Sequence, residues 1–183
     1  MGLLDQMEII NVETAPEIVE QFGVRSVPWM QLDGYIFDEA LSSTELDQIL
    51  ASNDETPPEA RYISYLLEHG KLSKAIERIE QGLCSLNIVV EMLVDPMVPL
   101  NVRIGIGAIL EHFEDSDEIR VLIPTLLELL QNSSAVLRTD ACHYLSLTHS
   151  AEVVGPLRQM LEDEDAEVRQ VALESLEVLR GLG

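Results

Sequence analysis

Three segments of the sequence decide the fold: VRIGIGAIL (102–110), LRTDACHYL (137–145) and VRQVALESL (168–176). Each has an aliphatic residue before an arginine, isoleucine or alanine three positions after it, and leucine seven positions after it. Positions −1, +3 and +7 from the arginine fall on one side of an α-helix. Each segment is therefore predicted to begin a helix that packs this side inward.

The repeat length indicates paired helices. Arg103, Arg138 and Arg169 are 35 and 31 residues apart, which allows two helices and two turns per unit. We predict four helix pairs, of which the first lacks the arginine pattern and is either a divergent repeat or a cap. The predicted pairs are 57–68 with 71–81, 84–94 with 99–114, 117–131 with 134–148, and 150–162 with 165–181.

Polar turns precede the arginine helices, and their side-chain oxygens can cap the helix that follows. Asn132 and Asp163 each lie six residues before their arginine, whereas Asp95 lies eight residues before Arg103. The first of these loops is therefore expected to be about two residues longer.

Two glycines stand out inside the first arginine helix. Gly105 and Gly107 flank Ile106 and would weaken an isolated helix. Close approach of a neighbouring helix is the favoured explanation, and a binding surface is the alternative.

This pattern resembles HEAT repeats, well over residues 84–183 and loosely over 57–83. The resemblance implies an α-α superhelix in which turn aspartates and helix-opening arginines form a ladder between neighbouring repeats. It implies that Asp163 pairs with Arg169 or Arg138. Asn132 departs from the pattern and is expected to weaken the ladder at its step.

In such folds the second helix of each pair usually lines the concave side, where partners bind. The resemblance thus implies that charged residues on helices 99–114, 134–148 and 165–181 face a partner. The predicted partner-facing residues are Glu111, Asp140, Glu174 and Glu177.

Charge and composition restrict the class of partner. The chain has a net charge of −22, which disfavours nucleic acid and anionic membranes and would attract a basic protein. The alternative is that the charge serves only solubility. With 46% hydrophobic but only 4% aromatic residues, the composition favours an aliphatic core between helices.

Other features place the chain in the cytoplasm. It has no apolar run long enough to span a membrane and no visible secretory signal. Cys84 and Cys142 are spaced unlike a metal or redox pair, so we expect buried, reduced thiols. His69, His112, His143 and His149 form no ligand cluster, and the acidic run 162–165 lacks an EF-hand pattern. No metal or cofactor is therefore expected.

A domain boundary is predicted at residues 52–58, a polar stretch ending in two prolines. Before Pro57 there are 12 acidic residues and one basic residue, a far denser charge than in the rest of the chain. We therefore divide the chain into an N-terminal segment (1–51), a linker (52–58) and an α-solenoid (59–183).

The N-terminal segment is predicted to have the order β-α-β-β-α. Thr14 is a possible cap of its first helix, which Gly23 ends, and Asp33-Gly34 marks a hairpin turn. Ser42 or Ser43, followed by Glu45, indicates the start of the last helix. The predicted elements are a strand at 7–12, a helix at 15–22, strands at 27–32 and 35–37, and a helix at 43–51.

The segments NVE (11–13), PEIV (16–19) and FGVRSVP (22–28) look like the second half of a thioredoxin-fold protein. The resemblance implies a cis peptide bond between Val27 and Pro28, with the Val27 backbone offered to an extended substrate. Trp29 departs from the smaller polar residue often found next in that family.

The chain has no Cys-x-x-Cys, and the first strand and active-site helix of such a fold do not precede Met7. One explanation is a shortened form of a longer protein, with residues 2–6 as the tail of a lost helix. The other is a second copy that covers the unpaired strand edges, which would make a homo-oligomer.

Two functions from different classes follow. The first is a protein-interaction scaffold without catalytic activity. The alternative is a truncated thiol-disulfide oxidoreductase whose HEAT repeats select substrate. A weaker third possibility, the HEAT-like proteins that attach or handle chromophores, has no specific support in the residues.

Overall fold

The computed structural model describes residues 10–24, 27–32, 35–37, 40–50 and 56–180. The chain divides into two compact units, Met1–Gln48 and Ile49–Gly183. Most of the predicted linker, 52–55, lies outside the described residues.

The N-terminal unit contains a short helix and a hairpin, and most of a second helix. Helix α1 is followed by strands β1 and β2, which pair antiparallel with Met30 opposite Phe37, and then by α2. The predicted turn residues 33–34 lie outside the described residues. The bounds are α1 Pro16–Phe22, β1 Met30–Leu32, β2 Tyr35–Phe37 and α2 Ser43–Leu50.

The ends of both helices follow the sequence signals. Gly23 ends α1 in the left-handed region at φ +62°, where glycine carries no steric cost. Ser42 caps α2 in a reciprocal arrangement with Glu45. The Ser42 amide donates to Glu45 Oε2 at 2.7 Å, and the Glu45 amide donates to Ser42 Oγ at 3.3 Å. This is a capping box, and it selects Ser42 over Ser43.

The strand predicted at residues 7–12 is wrong for residues 10–12, the part that the structure describes. Residues 7–9 lie outside the described residues, while Ile10 and Asn11 are not in a strand and a turn follows. Asn11 Oδ1 accepts the Glu13 amide at 3.0 Å, a local bond with which asparagine competes against a strand ladder. Thr14 is not the cap either, because its hydroxyl donates to the Asn11 carbonyl.

The strand predicted at 27–32 is shorter than expected and begins at Met30. The residues before it include Pro28, which has no amide hydrogen to donate to a strand ladder.

The described part of the C-terminal unit contains α-helices and 3₁₀ turns, and it confirms the four predicted helix pairs. The pairs are α3 Pro58–Glu68 with α4 Leu72–Glu80, α5 Leu86–Met92 with α6 Leu100–His112, α7 Asp117–Arg120 and α8 Ile123–Leu129 with α9 Ala135–Ser146, and α10 Val154–Gln159 with α11 Ala166–Val178.

Prolines interrupt two first helices that the sequence predicted to be continuous. Pro124 lacks the amide hydrogen that would bond to the carbonyl of Arg120, four residues earlier, and its ring crowds that carbonyl. Helix α7 accordingly ends at Arg120. Pro156, inside α10, lacks the amide hydrogen that would bond to the carbonyl of Glu152, and a 3₁₀ turn occupies Ala151–Val153 before α10. A second 3₁₀ turn, Met160–Glu162, follows α10.

The predicted inward positions form the core of the arginine helices. Eight of the nine are buried, and Leu176 of the last helix is half-buried. The buried eight are Val102, Ile106, Leu110, Leu137, Ala141, Leu145, Val168 and Ala172.

Close helix approach explains the first glycine of α6, Gly105. A Cβ atom on Gly105 would lie 2.7 Å from the Leu67 side chain on α3, closer than packed carbon atoms can come. A Cβ on Gly107 would lie 3.4 Å from the Tyr144 hydroxyl on α9. Gly105 therefore lets α6 pack against the preceding repeat, and Gly107 lies against the following one.

Candidate functional site

The helix-opening arginines bind the turn that precedes their own helix. Arg138 Nη1 donates to the carbonyls six and five residues upstream at 3.0 and 3.2 Å, and Arg169 Nη1 does the same at 2.7 and 3.0 Å. These bonds satisfy carbonyls left open after the preceding helix ends. Arg103 follows the longer loop, and it donates instead to the carbonyl of Leu93 at 3.0 Å.

The turn residues share one local bond. Oδ1 of Asp95, Asn132 and Asp163 accepts the amide two residues later, at 2.8, 2.9 and 2.9 Å. An amide oxygen accepts such a bond as a carboxylate does. Asn132 therefore preserves the turn geometry of the repeat.

Between α9 and α11 the ladder is complete. Arg138 donates to Asp163 from Nε and from Nη2, both at 2.8 Å, and each side chain is only 9% exposed. This two-bond pair is the strong arrangement for guanidinium and carboxylate. Bonding to Arg138 lowers the pKa of Asp163. Of the two partners that the resemblance implies for Asp163, the carboxylate meets Arg138, while Arg169 bonds the Asp163 carbonyl.

Between α6 and α9 the pairing is different. Arg103 donates from Nη1 to Asp140 Oδ2 at 2.7 Å, and Asp140 belongs to α9 rather than to the turn. Both side chains are more exposed than in the other pair, at 23% and 22%. Burial raises the pKa of Asp140, and the nearby Arg103 charge only partly opposes this. The carboxylate of Asp140, which was predicted to face a partner protein, is thus paired with Arg103 of the neighbouring repeat.

The other three predicted partner-facing residues are exposed. Glu111 Oε1 lies 3.6 Å from His143 Nε2 on the next repeat, and Glu177 lies 3.7 Å from Arg180. Glu174 accepts a bond from a glutamine one turn upstream. These contacts lie at the surface and leave the carboxylates accessible.

The sequence reasoning missed an exposed apolar pair on α6. Leu100 is 71% exposed and Ile104 is 64% exposed. They lie at −3 and +1 from the arginine, positions that a helical wheel places opposite the buried stripe. The helical periodicity of the sequence therefore already indicated that these two apolar side chains would be exposed.

The −3, +1, +5 and +8 positions fall on one side of each of the helices α6, α9 and α11, and Glu111 on α6 lies 3.6 Å from His143 on α9. We call their accessible side chains the second-helix face. These side chains are Leu100, Ile104, Ala108, Glu111, Ala135, Thr139, His143, Ala166, Gln170, Glu174 and Glu177.

Three histidines bridge neighbouring elements. His112 lies 2.9 Å from Glu80 and His149 lies 2.8 Å from Glu114, besides the His143 contact. His69 instead bonds the carbonyl of Tyr65. Across the described ranges, no three His, Cys, Asp or Glu side chains converge on a point that could hold a metal.

Both cysteines are free and buried, as predicted. Burial raises the pKa of Cys84 to about 11 and that of Cys142 to about 12. A thiol must ionise to act as a nucleophile, so neither cysteine is poised for disulfide exchange.

In the N-terminal unit the Val27–Pro28 bond has the cis geometry that the resemblance implies. An exposed groove of about 420 Å³ lies beside it and includes Val27 in its lining. The Trp29 ring packs on Phe22, with 5.8 Å between ring centroids. A substrate-binding role for Val27 stays a prediction.

Stacked helix pairs define the class of the C-terminal unit, a helical solenoid. A family model described as HEAT repeats matches residues 89–177. The match, together with the mostly helical structure, supports a HEAT-repeat protein, and it covers the arginine helices and their ladder. The thioredoxin-like interpretation of the N-terminal segment has no such support. No curated protein matches the chain. Among the described helices, none combines the length and the apolar character needed to cross a bilayer.

Proposed function

We propose that the C-terminal unit is a protein-interaction scaffold that binds a basic protein partner on the second-helix face. Helical solenoids bind partners on extended surfaces of this kind. The supporting observation is the use of charge: Arg103 and Arg138 each bond a carboxylate of the next repeat, whereas the side chains of Glu111, Glu174 and Glu177 are exposed. The face is therefore negative, in keeping with the net charge of the chain.

A site-specific photo-crosslinker tests this proposal. Placed at His143 on the second-helix face, it should capture a partner from cell extract, and capture should fall as salt rises because exposed charges are screened. Placed at Glu118 on α7, it serves as the control on the first-helix side. Equal capture at both positions would count against the face, and capture insensitive to salt would count against a basic partner.

Two further proposals concern the chain as a whole. Free, buried cysteines suit a reducing compartment, so we propose a cytoplasmic location, which fractionation would test. The strand edges of the N-terminal unit could pair with a second copy. Sedimentation would test this, since a homo-oligomer should persist when the C-terminal face is mutated.

A further inference from the structure

The second-helix face changes character from one end to the other. On α6 the positions −3, +1 and +5 are Leu100, Ile104 and Ala108, all apolar. On α11 the same three positions are Ala166, Gln170 and Glu174, of which the last two are polar or acidic, and Glu177 follows at +8. At +1 and +5 the side chain thus changes from apolar on α6 to polar or acidic on α11, while +8 is glutamate on both helices, Glu111 and Glu177.

The middle helix is intermediate. On α9 the corresponding positions are Ala135, Thr139 and His143, and none of them is acidic. The Asp140 carboxylate, which would have added charge here, is bonded to Arg103. The negative charge of Glu174 and Glu177 on α11 is thus separated by α9 from the apolar pair of α6, and the one acidic residue of the face on α6, Glu111, lies seven positions beyond Ile104.

The apolar end has the properties of an anchor site. Leu100 and Ile104 are one turn apart on the helix, and both are more than 60% exposed. Exposed apolar side chains that adjoin one another mark interaction surfaces. Burying them would add affinity that salt does not screen, which the acidic end cannot supply.

From this arrangement we propose that the face binds one bipartite segment, with an apolar anchor on α6 and lysine or arginine on α11. This inference rests on the proposed function and specifies its partner. Taking roughly 8–10 Å between neighbouring helices and roughly 6 Å along the helix axis from +1 to +5, we estimate about 17–21 Å between the two ends. An extended chain covers this distance in about five or six residues.

The probe that tests this is a labelled eight-residue peptide with two leucines at one end, two lysines at the other, and four glycine or serine residues between them. Both chain directions are made. Comparison peptides replace the leucines by serine, replace the lysines by glutamine, or shorten the spacer to one residue. Binding to the full chain is measured by fluorescence anisotropy at low and high salt.

The bipartite peptide should bind at least roughly ten-fold more tightly than each comparison peptide, because each end contributes independently. Ile104→Ser should weaken binding roughly ten-fold at both salt concentrations. Glu174→Gln with Glu177→Gln should weaken it several-fold at low salt only. The matched controls are Val121→Ser and Glu118→Gln, which remove an exposed apolar and an exposed acidic side chain outside the face and should leave binding unchanged.

The outcomes separate this inference from the proposed function. If bipartite and lysine-only peptides bind equally and the glutamine variants weaken both, the bipartite segment is wrong and the acidic scaffold face stands. If the controls weaken binding as much as the face variants do, the face itself is wrong and both proposals fail. Circular dichroism of each variant shows that the helices are retained.

Discussion

The α9–α11 junction and the α6–α9 junction both link neighbouring repeats through an arginine, but the arginine has a different kind of partner in each. At the first, Asp163 makes a turn bond with one oxygen and takes a two-bond pair from Arg138. At the second, Asn132 makes the same turn bond, but it has no charge to offer Arg103, which pairs with Asp140 instead. Asparagine therefore preserves the turn geometry, but it cannot form a charged link to an arginine of the neighbouring repeat. We infer that the second junction is the weaker one.

The largest effect should come from Asp163. Asp163→Ala removes the turn bond and leaves a buried guanidinium without its carboxylate, which should cost roughly 3 kcal/mol of unfolding free energy. Asp163→Asn keeps the turn bond and should cost about 2 kcal/mol. Urea denaturation measures both. Glu162→Gln, an exposed residue in the same turn, should change stability little, and an Asp163→Asn variant as stable as this control would refute the ladder.

A smaller loss is expected at the other junction. Asp140→Asn weakens a single bond between partly exposed side chains, and the burial that raises the pKa of Asp140 offsets part of the pairing, so it should cost at most about 1 kcal/mol in the same denaturation experiment. A loss equal to that of Asp163→Asn would mean that the two junctions are equally strong.

Placing an aspartate at position 132, as at position 163, should test why the two junctions differ. Asn132→Asp keeps the turn bond and offers Arg103 a second carboxylate, so alone it should change stability by less than about 1 kcal/mol. In the Asp140→Asn background it should recover most of the lost stability. A double-mutant cycle measures this coupling. Additive effects would show that residue 132 does not reach Arg103.

The two carboxylates should also respond oppositely to pH. The pKa of Asp163 is lowered in the native state, so its contribution is present above the unfolded value of about 3.9 and is lost as pH falls through the native pKa. The pKa of Asp140 is raised, so its ionisation opposes stability as pH rises above the unfolded value. The stability difference between the native chain and Asp163→Asn should therefore grow with pH. The stability difference between the native chain and Asp140→Asn should shrink as pH rises. Parallel curves of stability against pH for the native chain and both variants would contradict both pKa directions.

The sequence predicted the repeats well because they depend on local periodicity. The inward positions around each arginine and the caps at Gly23 and Ser42 need only neighbouring residues. The helix breaks at Pro124 and Pro156 also depend on local sequence. We predicted continuous helices there because the apolar residues around each proline follow a helical pattern.

What could not be predicted depends on contacts between distant segments. Arg103 pairs with Asp140, which lies 37 residues away along the chain, and the local repeat pattern does not show that this carboxylate comes within reach. The sequence also did not show that Asn11 would bond the Glu13 amide where a strand was expected at residues 10–12. The exposure of Leu100 and Ile104 could be predicted from the sequence, but the composition of a single helix does not show that +1 and +5 become polar or acidic two repeats later.

Amide hydrogen exchange of the native chain, Asp163→Asn and Asp140→Asn tests the inequality of the junctions most directly. We expect Asp163→Asn to speed exchange mainly in α11 and in the turn before it. Asp140→Asn should produce a smaller increase, in α6 and α9. An equal or larger increase from Asp140→Asn, or fast exchange throughout the residues after Pro58 in the native chain, would contradict stacked repeats held by an Arg138–Asp163 link.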